Sequence, residues 1–264
     1  MSVLDISNDG HVRTLTLNRP EKKNALNDEL AWSIVNAIED AGRDDNVWVL
    51  AITGSGGAFC SGLDLTNFGG GSSPLSPQSQ QLDDLAWISR FPLGMRYGCE
   101  KPIVAGINGV AVGGGLSLAM ATDIRIMADN AVIMAGYPRI GGSPDGGLTW
   151  TLPQAMGYEK AMRFLLENRT VGAEEALALG LVGEVAPAAM ISDRLAEYCA
   201  FLCERSPITM RMTKRTLAKA TQDVDLESVL RLEIASIGRA FASNDGKEAR
   251  QAFIEKRPPV FEGR

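Results

Sequence analysis

Two short segments in the middle of the chain carry residue types suited to acyl chemistry. The first is a run of three glycines, Gly113–Gly115, that leads into an apolar stretch. A backbone without side chains at a helix start can direct free N–H groups at a ligand, and such donors stabilise an oxyanion. The second is Asp145, an acid/base candidate in the turn 144–147, just before another predicted helix. Together they indicate an enzyme that forms and quenches an enolate.

Both features also have a purely structural interpretation. Three glycines in a row can serve tight packing between a strand and the helix that follows it. Asp145 can act as a helix N-cap, a role that aspartate often fills. A carboxylate at a helix start tends to stay ionised, which suits a general base. The residues alone leave these alternatives open.

The segment 59–65, Phe-Cys-Ser-Gly-Leu-Asp-Leu, also follows a predicted buried strand. Two such strand exits can place two backbone N–H groups around one carbonyl oxygen. Asp64 of this segment is predicted to anchor the turn rather than to move protons.

Composition excludes several classes of function. The 264 residues are 45% hydrophobic and 22% charged, which is typical of a globular protein. A net charge of −6 argues against nucleic acid as the main partner. One histidine, His11, and four cysteines without CxxC spacing make a metal site improbable and favour a reducing cytoplasm. Neither a leader peptide nor a membrane span of about 18 apolar residues is visible.

Hydrophobic periodicity predicts alternating strands and helices over the first two-thirds of the chain and helices from residue 157 onward, hence an α/β fold. The predicted strands are 3–6, 12–17, 47–53, 102–107, 124–128 and 132–135. The predicted helices of the first part are 27–41, 78–97, the segment from the glycine run to 121, and one starting at 148. The Gly-, Ser- and Pro-rich segment 69–77 is expected to be mobile, either a lid over a ligand or a surface loop.

The motifs along the chain are similar to those of a known family. They are Leu17-Asn18-Arg19-Pro20, Asn24-Ala25-Leu26, Ala58–Leu65, Lys101-Pro102, Asn108–Gly115, Ala121–Arg125, Ala173–Ala176, Gly180-Leu181-Val182 and Glu255–Phe261. The chain resembles the crotonase superfamily, the enoyl-CoA hydratase/isomerase family, over nearly its whole length. The resemblance implies a spiral of ββα units, assigned to residues 1–205, and a helical C-terminal region at 206–264.

The resemblance also implies a binding site for an acyl-CoA. The backbone N–H groups of Leu63 and Gly114 would hold the thioester oxygen. The residues that would contact the substrate are Lys22, Ala25, Leu26, Ser61, Gly62, Asp64, Leu65, Gly113, Ser117 and Tyr137. No metal or redox cofactor is implied. The family implies a homotrimer or a dimer of trimers, with the helices after residue 206, including 241–256, covering the acyl pocket.

One departure from the family pattern bears on the reaction. Hydratases of this family add water with two glutamates. The first position holds Ser117 here; the second, 20 residues further on, holds Tyr137 in an ungapped alignment, with Arg139 as the nearest alternative under a small gap. No glutamate occurs between Glu100 and Glu159. A hydration mechanism with two carboxylates therefore lacks its residues.

Asp145 lies 28 residues after Ser117, where some isomerases and dehalogenases of the family keep their working aspartate. The segment 144–153 resembles that of the phenylacetate-pathway isomerases. The dehalogenases also need a tryptophan, where this chain has Tyr137, and a histidine, although none follows His11. We therefore expect an enoyl-CoA isomerase of the Δ3-to-Δ2 type.

The alternatives are a hydratase of altered mechanism, a hydrolase or dehalogenase with Asp145 as nucleophile, and a catalytically idle acyl-CoA-binding relative. Ser117 is expected to form a small part of the pocket wall. For Tyr137 the options are the acyl-pocket wall, the positioning of a water molecule, or packing.

Overall fold

Two β-sheets of unequal size organise the protein in the computed structural model, which describes residues 2–67, 73–222 and 225–264. The strands are β1 (Leu4–Asp9), β2 (Val12–Leu17), β3 (Val49–Gly54), β4 (Ile103–Ile107), β5 (Ala111–Val112), β6 (Ile124–Ala128), β7 (Val132–Met134), β8 (Val171–Gly172) and β9 (Glu184–Ala186). The larger sheet has the order β1-β2-β3-β4-β6-β9 and the smaller one β5-β7-β8.

The helices cover the sheets and make up most of the C-terminal part. They are α1 (Asp28–Arg43), α2 (Pro77–Gln81), α3 (Ala86–Leu93), α4 (Gly114–Ala121), α5 (Leu148–Met156), α6 (Tyr158–Glu167), α7 (Ala173–Ala178), α8 (Ile191–Cys203), α9 (Pro207–Ala220), α10 (Leu226–Ala242) and α11 (Asn244–Glu255). No helix within the described residues is long and apolar enough to cross a membrane.

The chain winds as a spiral in which a strand of the large sheet is followed by a short extended segment in the second layer. β4 leads to β5 and β6 leads to β7, and β5 and β7 pair in parallel. The same layer continues through isolated bridges from Cys60 to Ala111 and from Leu26 to Leu63. Successive strands of the large sheet from β2 onward run parallel, as crossover connections require. The predicted crotonase-like α/β spiral is confirmed.

The first helix shows how local sequence sets an element. Asn27 caps α1 by accepting a hydrogen bond from the Leu30 amide at 3.0 Å. Its buried side chains recur at helical spacing: Leu30, Ala31, Ile34, Val35, Ala37, Ile38 and Ala41. The predicted helix over 27–41 is confirmed in type and nearly in extent.

The predicted helix over 78–97 is wrong as one element. The structure has α2, a break, α3 and then a π-helical turn at 94–98. At the break, Oδ1 of Asp83 accepts hydrogen bonds from the Leu85 amide and the Arg90 guanidinium. Such side-chain bonds to nearby donors compete with helical ones. Leu82 stays 74% exposed, so the apolar face expected of one long helix does not form there.

The expectation of helices alone after residue 157 is also wrong. β9 is the edge strand of the large sheet and pairs in parallel with β6, while β8 pairs antiparallel with β7. Both are only two or three residues long, so the alternation that marks a strand is too brief to read from the sequence.

The large sheet is buried on both faces, as its continuous apolar strands predict. β3 and β4 are almost wholly buried, and α8 covers one face of the sheet by setting Leu195 against Gly106 of β4. Of the predicted lid or surface loop at 69–77, residues 69–72 lie outside the described residues. The rest includes the start of α2 at Pro77.

Candidate active site

The start of α4 is built from glycines because the neighbouring backbone leaves no room for a Cβ. Gly113 has a φ of 52° and precedes the helix, and its amide donates to the Met134 carbonyl. A Cβ on Gly115 would lie 2.2 Å from the Cys60 carbonyl oxygen. The helix start therefore packs directly on the backbone of the segment 60–63. The packing role and a ligand-binding role of the glycine run are thus compatible.

The loop at Leu63 turns one free amide toward this helix start. The Leu26 amide donates to the Gly62 carbonyl at 2.7 Å, and the Asp64 amide donates to the Leu26 carbonyl at 2.9 Å. In a parallel bridge of this kind the intervening residue, Leu63, directs its own N–H away from the partner segment. A Cβ on Gly62 would lie only 3.6 Å from the Gly114 nitrogen. Leu63 and Gly114 are thus brought together.

Within the described part of the chain, the amides of Leu63 and Gly114 have no hydrogen-bond partner. An amide left without a protein acceptor needs water or a ligand. Backbone amides without a protein acceptor are the type of donor from which oxyanion holes are built.

Asp64 holds the loop in place rather than facing a ligand. Its carboxylate accepts from the Thr66 hydroxyl and amide and pairs with the Arg19 guanidinium at 2.8 Å, while the residue is only 5% exposed. The Thr66 hydroxyl bond, followed by that of Arg19, lowers the pKa of Asp64 to about 2. Its predicted turn-anchor role is confirmed. The predicted substrate contact can come only through its backbone, since its side chain is already engaged.

Arg19 is a residue of the site that the sequence alone did not single out. Its guanidinium also donates to the Ala25 carbonyl at 2.5 Å, so it ties the segment 22–26 to the Leu63 loop. The signal was present in the motif Leu17-Asn18-Arg19-Pro20, which the family resemblance includes.

The other predicted contacts of the CoA moiety border the same loop. The Ser61 hydroxyl donates to the Lys22 carbonyl at 3.2 Å. Lys22 and Leu65 are exposed, whereas Ala25 and Leu26 are buried beneath them. Lys22 is thus the cation of this group that can reach a charged ligand from solvent.

Ser117, Tyr137 and Asp145 meet in a hydrogen-bonded cluster. The Tyr137 hydroxyl donates to Oδ1 of Asp145 at 2.8 Å, and the Ser117 hydroxyl lies 3.2 Å from the Tyr137 oxygen. The Ser117 hydroxyl also lies 3.2 Å from the carbonyls of Gly113 and Asp145. Ser117 and Tyr137 are buried, whereas Asp145 is exposed at the surface. The structure therefore brings together all three residues that the family comparison marked.

A short 3₁₀ turn at 137–140 orients Tyr137. Gly136 precedes it with a φ of 85°, and its amide donates to the Asn168 side-chain oxygen at 2.6 Å. Gly141 closes the turn with a φ of 67°. Both glycines occupy the left-handed region that other residues enter only at a cost. Asn168, at the end of α6, was not recognised from the sequence.

The N-cap interpretation of Asp145 is wrong. The N-cap position of α5 is held by Gly147, and no side chain caps that helix. The Asp145 carboxylate instead turns toward Tyr137. Its pKa is raised above the ordinary value, because desolvation outweighs the hydrogen bond from the Tyr137 hydroxyl. Desolvation therefore shifts the pKa of this carboxylate in the direction opposite to that expected from a helix start.

Ile88 of α3 links the cluster to the two free amides. A Cβ on Gly114 would lie 3.4 Å from the Ile88 Cδ1, and a Cβ on Gly146 would lie 3.1 Å from the Ile88 Cγ1. A Cβ on Gly146 would also lie 2.6 Å from the Ser117 Cβ. The amides, the carboxylate and an apolar wall thus share one site. Ile88 was not predicted, although it belongs to the apolar face at 82–91.

Other candidate nucleophiles are engaged elsewhere. His11 stacks on Trp48 with ring centroids 3.7 Å apart, and its Nδ1 is 2.8 Å from the Asn46 carbonyl. Cys60 is buried, and desolvation raises the pKa of its thiol to about 12. Over residues 2–67, 73–222 and 225–264, no three His, Cys, Asp or Glu side chains gather to hold a metal ion.

Two cavities of about 590 and 630 Å³ lie along α9, away from this cluster. The larger is lined by residues of α4, α5, α8, α9 and the start of β6, among them Met120, Arg125 and Thr151. Neither is lined by Leu63, Gly114 or Asp145. The candidate site is therefore identified by its free amides and its carboxylate, and not by a large cavity.

Comparison with known proteins decides the family. A family model described as enoyl-CoA hydratase/isomerase matches residues 7–264. The chain belongs to the enoyl-CoA hydratase/isomerase family.

Similar proteins in this enoyl-CoA hydratase/isomerase family carry both kinds of name. A probable enoyl-CoA hydratase of Rhodobacter capsulatus is 36% identical, over 95% of this chain and 94% of its own. The 1,2-epoxyphenylacetyl-CoA isomerase of Escherichia coli is 32% identical, over 96% of this chain and 95% of its own. The crystal structure of a putative enoyl-CoA hydratase from Streptomyces coelicolor A3(2) superposes with a TM-score of 0.90 at 29% identity, over 99% and 94% of the two chains.

Proposed function

We propose that this enzyme is an enoyl-CoA isomerase that shifts a double bond from the Δ3 to the Δ2 position of an acyl-CoA. The observation that carries the proposal is the placement of a single carboxylate, Asp145, beside Ser117 and Tyr137, the residues at the two positions where family hydratases have glutamates. Moving a proton between two carbons of one substrate needs one acid/base group, whereas adding water across a double bond uses two.

The other carboxylates of this part of the chain support the choice of Asp145. Asp123 pairs with Lys214 and accepts from the Ile103 amide. Asp129 accepts from the Ala188 amide. No glutamate occurs between Glu100 and Glu159. Asp145 is therefore the acid/base group that the segment from 101 to 158 offers to a substrate.

The chemistry follows from the two halves of the site. Asp145 takes a proton from C2 of a 3-enoyl thioester, and the electron pair moves into the thioester carbonyl to form a dienolate. The Leu63 and Gly114 amides stabilise the negative oxygen, each contributing about 3 kcal/mol to the transition state by analogy with known oxyanion holes. Asp145 then returns the proton at C4, and the double bond ends between C2 and C3. The carboxylate is ionised again after each turnover.

A raised pKa suits this role. A stronger base favours removal of the proton next to a thioester. The carboxylic acid that forms then donates this proton to C4 of the dienolate. Desolvation raises the pKa of Asp145 and so makes its carboxylate a stronger base, although the residue is partly exposed to solvent.

The CoA part of the substrate is assigned to the segment 22–26 and the loop 61–65, as the family resemblance implies. Lys22 would meet the CoA phosphates, and the buried Arg19–Asp64 pair would hold the loop in register. No metal or redox cofactor enters this reaction. All four cysteines are free thiols, in line with a cytoplasmic enzyme.

We propose further that the protein is a homotrimer or a dimer of trimers. Its C-terminal helices carry large apolar side chains that the monomer leaves exposed. They are Leu226, Leu230, Ile234, Ile237 and Phe241 on α10, and Phe253 and Ile254 on α11. An apolar surface of this kind is typical of an interface between subunits. Whether these helices also cover the acyl pocket stays a prediction.

The test of the isomerase proposal is substitution of Asp145 by Asn, a change that keeps the shape of the side chain and removes its basicity. We expect the purified variant to lose both isomerisation of 3-enoyl-CoA and exchange of the C2 protons with deuterated water. Circular dichroism serves as the control for folding. A variant that retains most of its turnover would show that another group moves the proton.

Hydration is the second candidate, because several similar proteins carry hydratase names. Crotonyl-CoA with the wild-type enzyme separates the two: an isomerase leaves it unchanged, whereas a hydratase converts it to the hydroxyacyl-CoA. For hydrolysis through Asp145 as nucleophile, a single turnover in ¹⁸O water would leave the label in the Asp145 carboxyl group. Retention of CoA affinity without C2 exchange would identify an idle acyl-CoA-binding protein.

A further inference from the structure

Tyr137 has a more specific relation to Asp145 than that of a pocket wall. We infer that Tyr137 is a positioning residue, which holds one carboxylate oxygen of Asp145 so that the other faces the reacting carbon atoms. The inference rests on the proposed function, since it assigns a role in proton transfer by Asp145. The sequence left three roles open for Tyr137, namely pocket wall, positioning of a water molecule and packing, and the role inferred here differs from all three.

The direction of the hydrogen bonds is determined by the groups involved. An ionised carboxylate only accepts, so the Tyr137 hydroxyl must donate to Oδ1 of Asp145. The Tyr137 oxygen is then free to accept, and the Ser117 hydroxyl lies within 3.2 Å of it. The carbonyls of Gly113 and Asp145 lie at the same distance from the Ser117 hydroxyl, so its one proton is shared among three acceptors.

This arrangement leaves one oxygen of Asp145 for chemistry. Within the described residues, Oδ2 of Asp145 accepts no hydrogen bond from another residue, whereas Oδ1 accepts from Tyr137. Tyr137 is 6% exposed and Ser117 is fully buried, so both hydroxyls are shielded from solvent at the Oδ1 side of the carboxylate. The carboxylate is therefore held at one oxygen and free at the other.

Among residues 2–67, 73–222 and 225–264, no charged side chain forms an ion pair or a hydrogen bond with Asp145. α3 brings Ile88 and Pro92 to the glycines that follow Asp145, and both are apolar. Arg90 of α3 is paired with Asp83, and the Arg96 guanidinium stacks on the Trp150 ring of α5.

Arg139, on the same turn as Tyr137, is exposed. Ser117 of α4 is neutral. Tyr137 itself stays protonated, because burial and the nearby Asp145 raise its pKa. The ionisable group in contact with Asp145 is thus Tyr137, which acts as a hydrogen-bond donor.

Removal of the Tyr137 hydroxyl has a predictable sign. The hydrogen bond favours the ionised form of Asp145 and lowers its pKa, against the larger effect of desolvation. In Tyr137→Phe the desolvation remains and the hydrogen bond from the hydroxyl is lost, so the pKa of Asp145 rises further. Because the base must be ionised to take the C2 proton, the acidic limb of kcat/KM moves to higher pH.

The experiment compares the pH dependence of 3-enoyl-CoA isomerisation in wild type and Tyr137→Phe. We expect the acidic limb to move up by about one pH unit, the effect of losing a hydrogen bond to a charged group. We expect kcat above that limb to fall about tenfold with KM nearly unchanged, because the loss affects the reacting group rather than CoA binding. Ser117→Ala should move the limb in the same direction by less.

The matched control is Tyr198→Phe, which removes the same hydroxyl from a tyrosine of α8 that lies beside Arg194. Its pH profile should follow wild type. Thermal unfolding of each variant confirms that the fold is intact.

A second readout is independent of activity: ¹³C NMR titration of aspartate carboxyl groups, with the Asp145 resonance identified by its loss in Asp145→Asn. That resonance should titrate at higher pH in Tyr137→Phe.

Two outcomes would overturn the inference while leaving the isomerase proposal intact. An unmoved acidic limb and an unmoved Asp145 resonance would show that the hydroxyl does not act on the carboxylate. Loss of isomerisation with C2 exchange retained would make Tyr137 the proton donor at C4, a direct catalytic role. In contrast, wild-type enzyme without C2 exchange, or full exchange by Asp145→Asn, would refute the proposed function, and the inference would fall with it.

Discussion

At the scale of single residues, the proposed site depends on a carboxylate, Asp145, whose ionised form is disfavoured by its surroundings in the folded protein. Desolvation raises the pKa of Asp145, and the Tyr137 hydroxyl offsets this only in part. Groups with a specific function are often retained at a cost to stability. Asp64 shows the opposite case, since Thr66 and Arg19 lower its pKa and it serves structure alone.

This contrast leads to a prediction for the stability of Asp145→Asn. A raised pKa means that the folded state disfavours the ionised side chain, so the carboxylate destabilises the protein at neutral pH. Below the ordinary value of 3.8 the group is protonated in both folded and unfolded states, and the penalty vanishes. We therefore expect Asp145→Asn to unfold at a higher temperature than wild type at pH 7, with the gap closing as the pH falls toward 3.5.

The measurement is thermal unfolding across this range by circular dichroism. Asp5→Asn, an exposed position on β1, controls for the loss of one negative charge. A lower unfolding temperature for Asp145→Asn at pH 7 would contradict the prediction, since it would mean that the ionised carboxylate is stabilising.

At the scale of elements, the start of α4 and the loop at 60–63 form one unit. Gly115 lets the helix rest on the Cys60 carbonyl, and Gly62 with a φ of 92° turns the loop so that its next amide faces Gly114. The position of both amides therefore depends on the same close contact between two backbones. A change at that contact should affect stability and catalysis together.

Gly115→Ala tests this dependence. The added Cβ would meet the Cys60 carbonyl oxygen at 2.2 Å, and neither backbone can move without separating helix from loop. We expect a loss of about 2 kcal/mol or more in the free energy of unfolding, the usual cost of overpacking. We also expect C2 exchange to fall by at least about a hundredfold, as when one oxyanion donor is lost.

Urea unfolding and the exchange assay measure the two effects. Gly172→Ala is the matched control: its backbone is extended and nothing lies within 4 Å of its added Cβ, so a change within about 0.5 kcal/mol is expected. Wild-type exchange in Gly115→Ala would show that the amides do not depend on this contact.

At the scale of the whole molecule, the C-terminal helices present an apolar face that the monomer does not bury. The exposed side chains of α10 recur every three or four residues, so they line one side of the helix. Such a stripe is what a second subunit would cover. The proposed trimer accounts for it.

Ile234→Glu provides the test, since Ile234 is 73% exposed in the monomer. A carboxylate buried at a subunit interface without a partner is strongly unfavourable, so we expect the variant to sediment as a smaller species than wild type. Ile6→Glu, which adds the same charge on the edge strand β1, should keep the wild-type sedimentation coefficient. Equal coefficients for Ile234→Glu and wild type would place the interface elsewhere.

The sequence by itself determined the family, the order of most strands and helices, and the residue types at the site. Local signals were enough for these, because Asn27 caps its helix within three residues and the three glycines stand next to one another. The family resemblance implied where hydratases have their two glutamates, and the sequence shows Ser117 and Tyr137 there and no glutamate between Glu100 and Glu159.

Only the tertiary structure decided how those residues act. Arg19 pairs with Asp64, and β9 joins β6 in the large sheet, across long stretches of chain. Tyr137 and Asp145 are only eight residues apart, but their hydrogen bond depends on the turns between them. The free energies of these interactions come from contacts and desolvation in the folded state, which no local pattern encodes. For the same reason the sequence suggested a helix cap at Asp145, whereas in the structure its carboxylate accepts a hydrogen bond from Tyr137 and has a raised pKa.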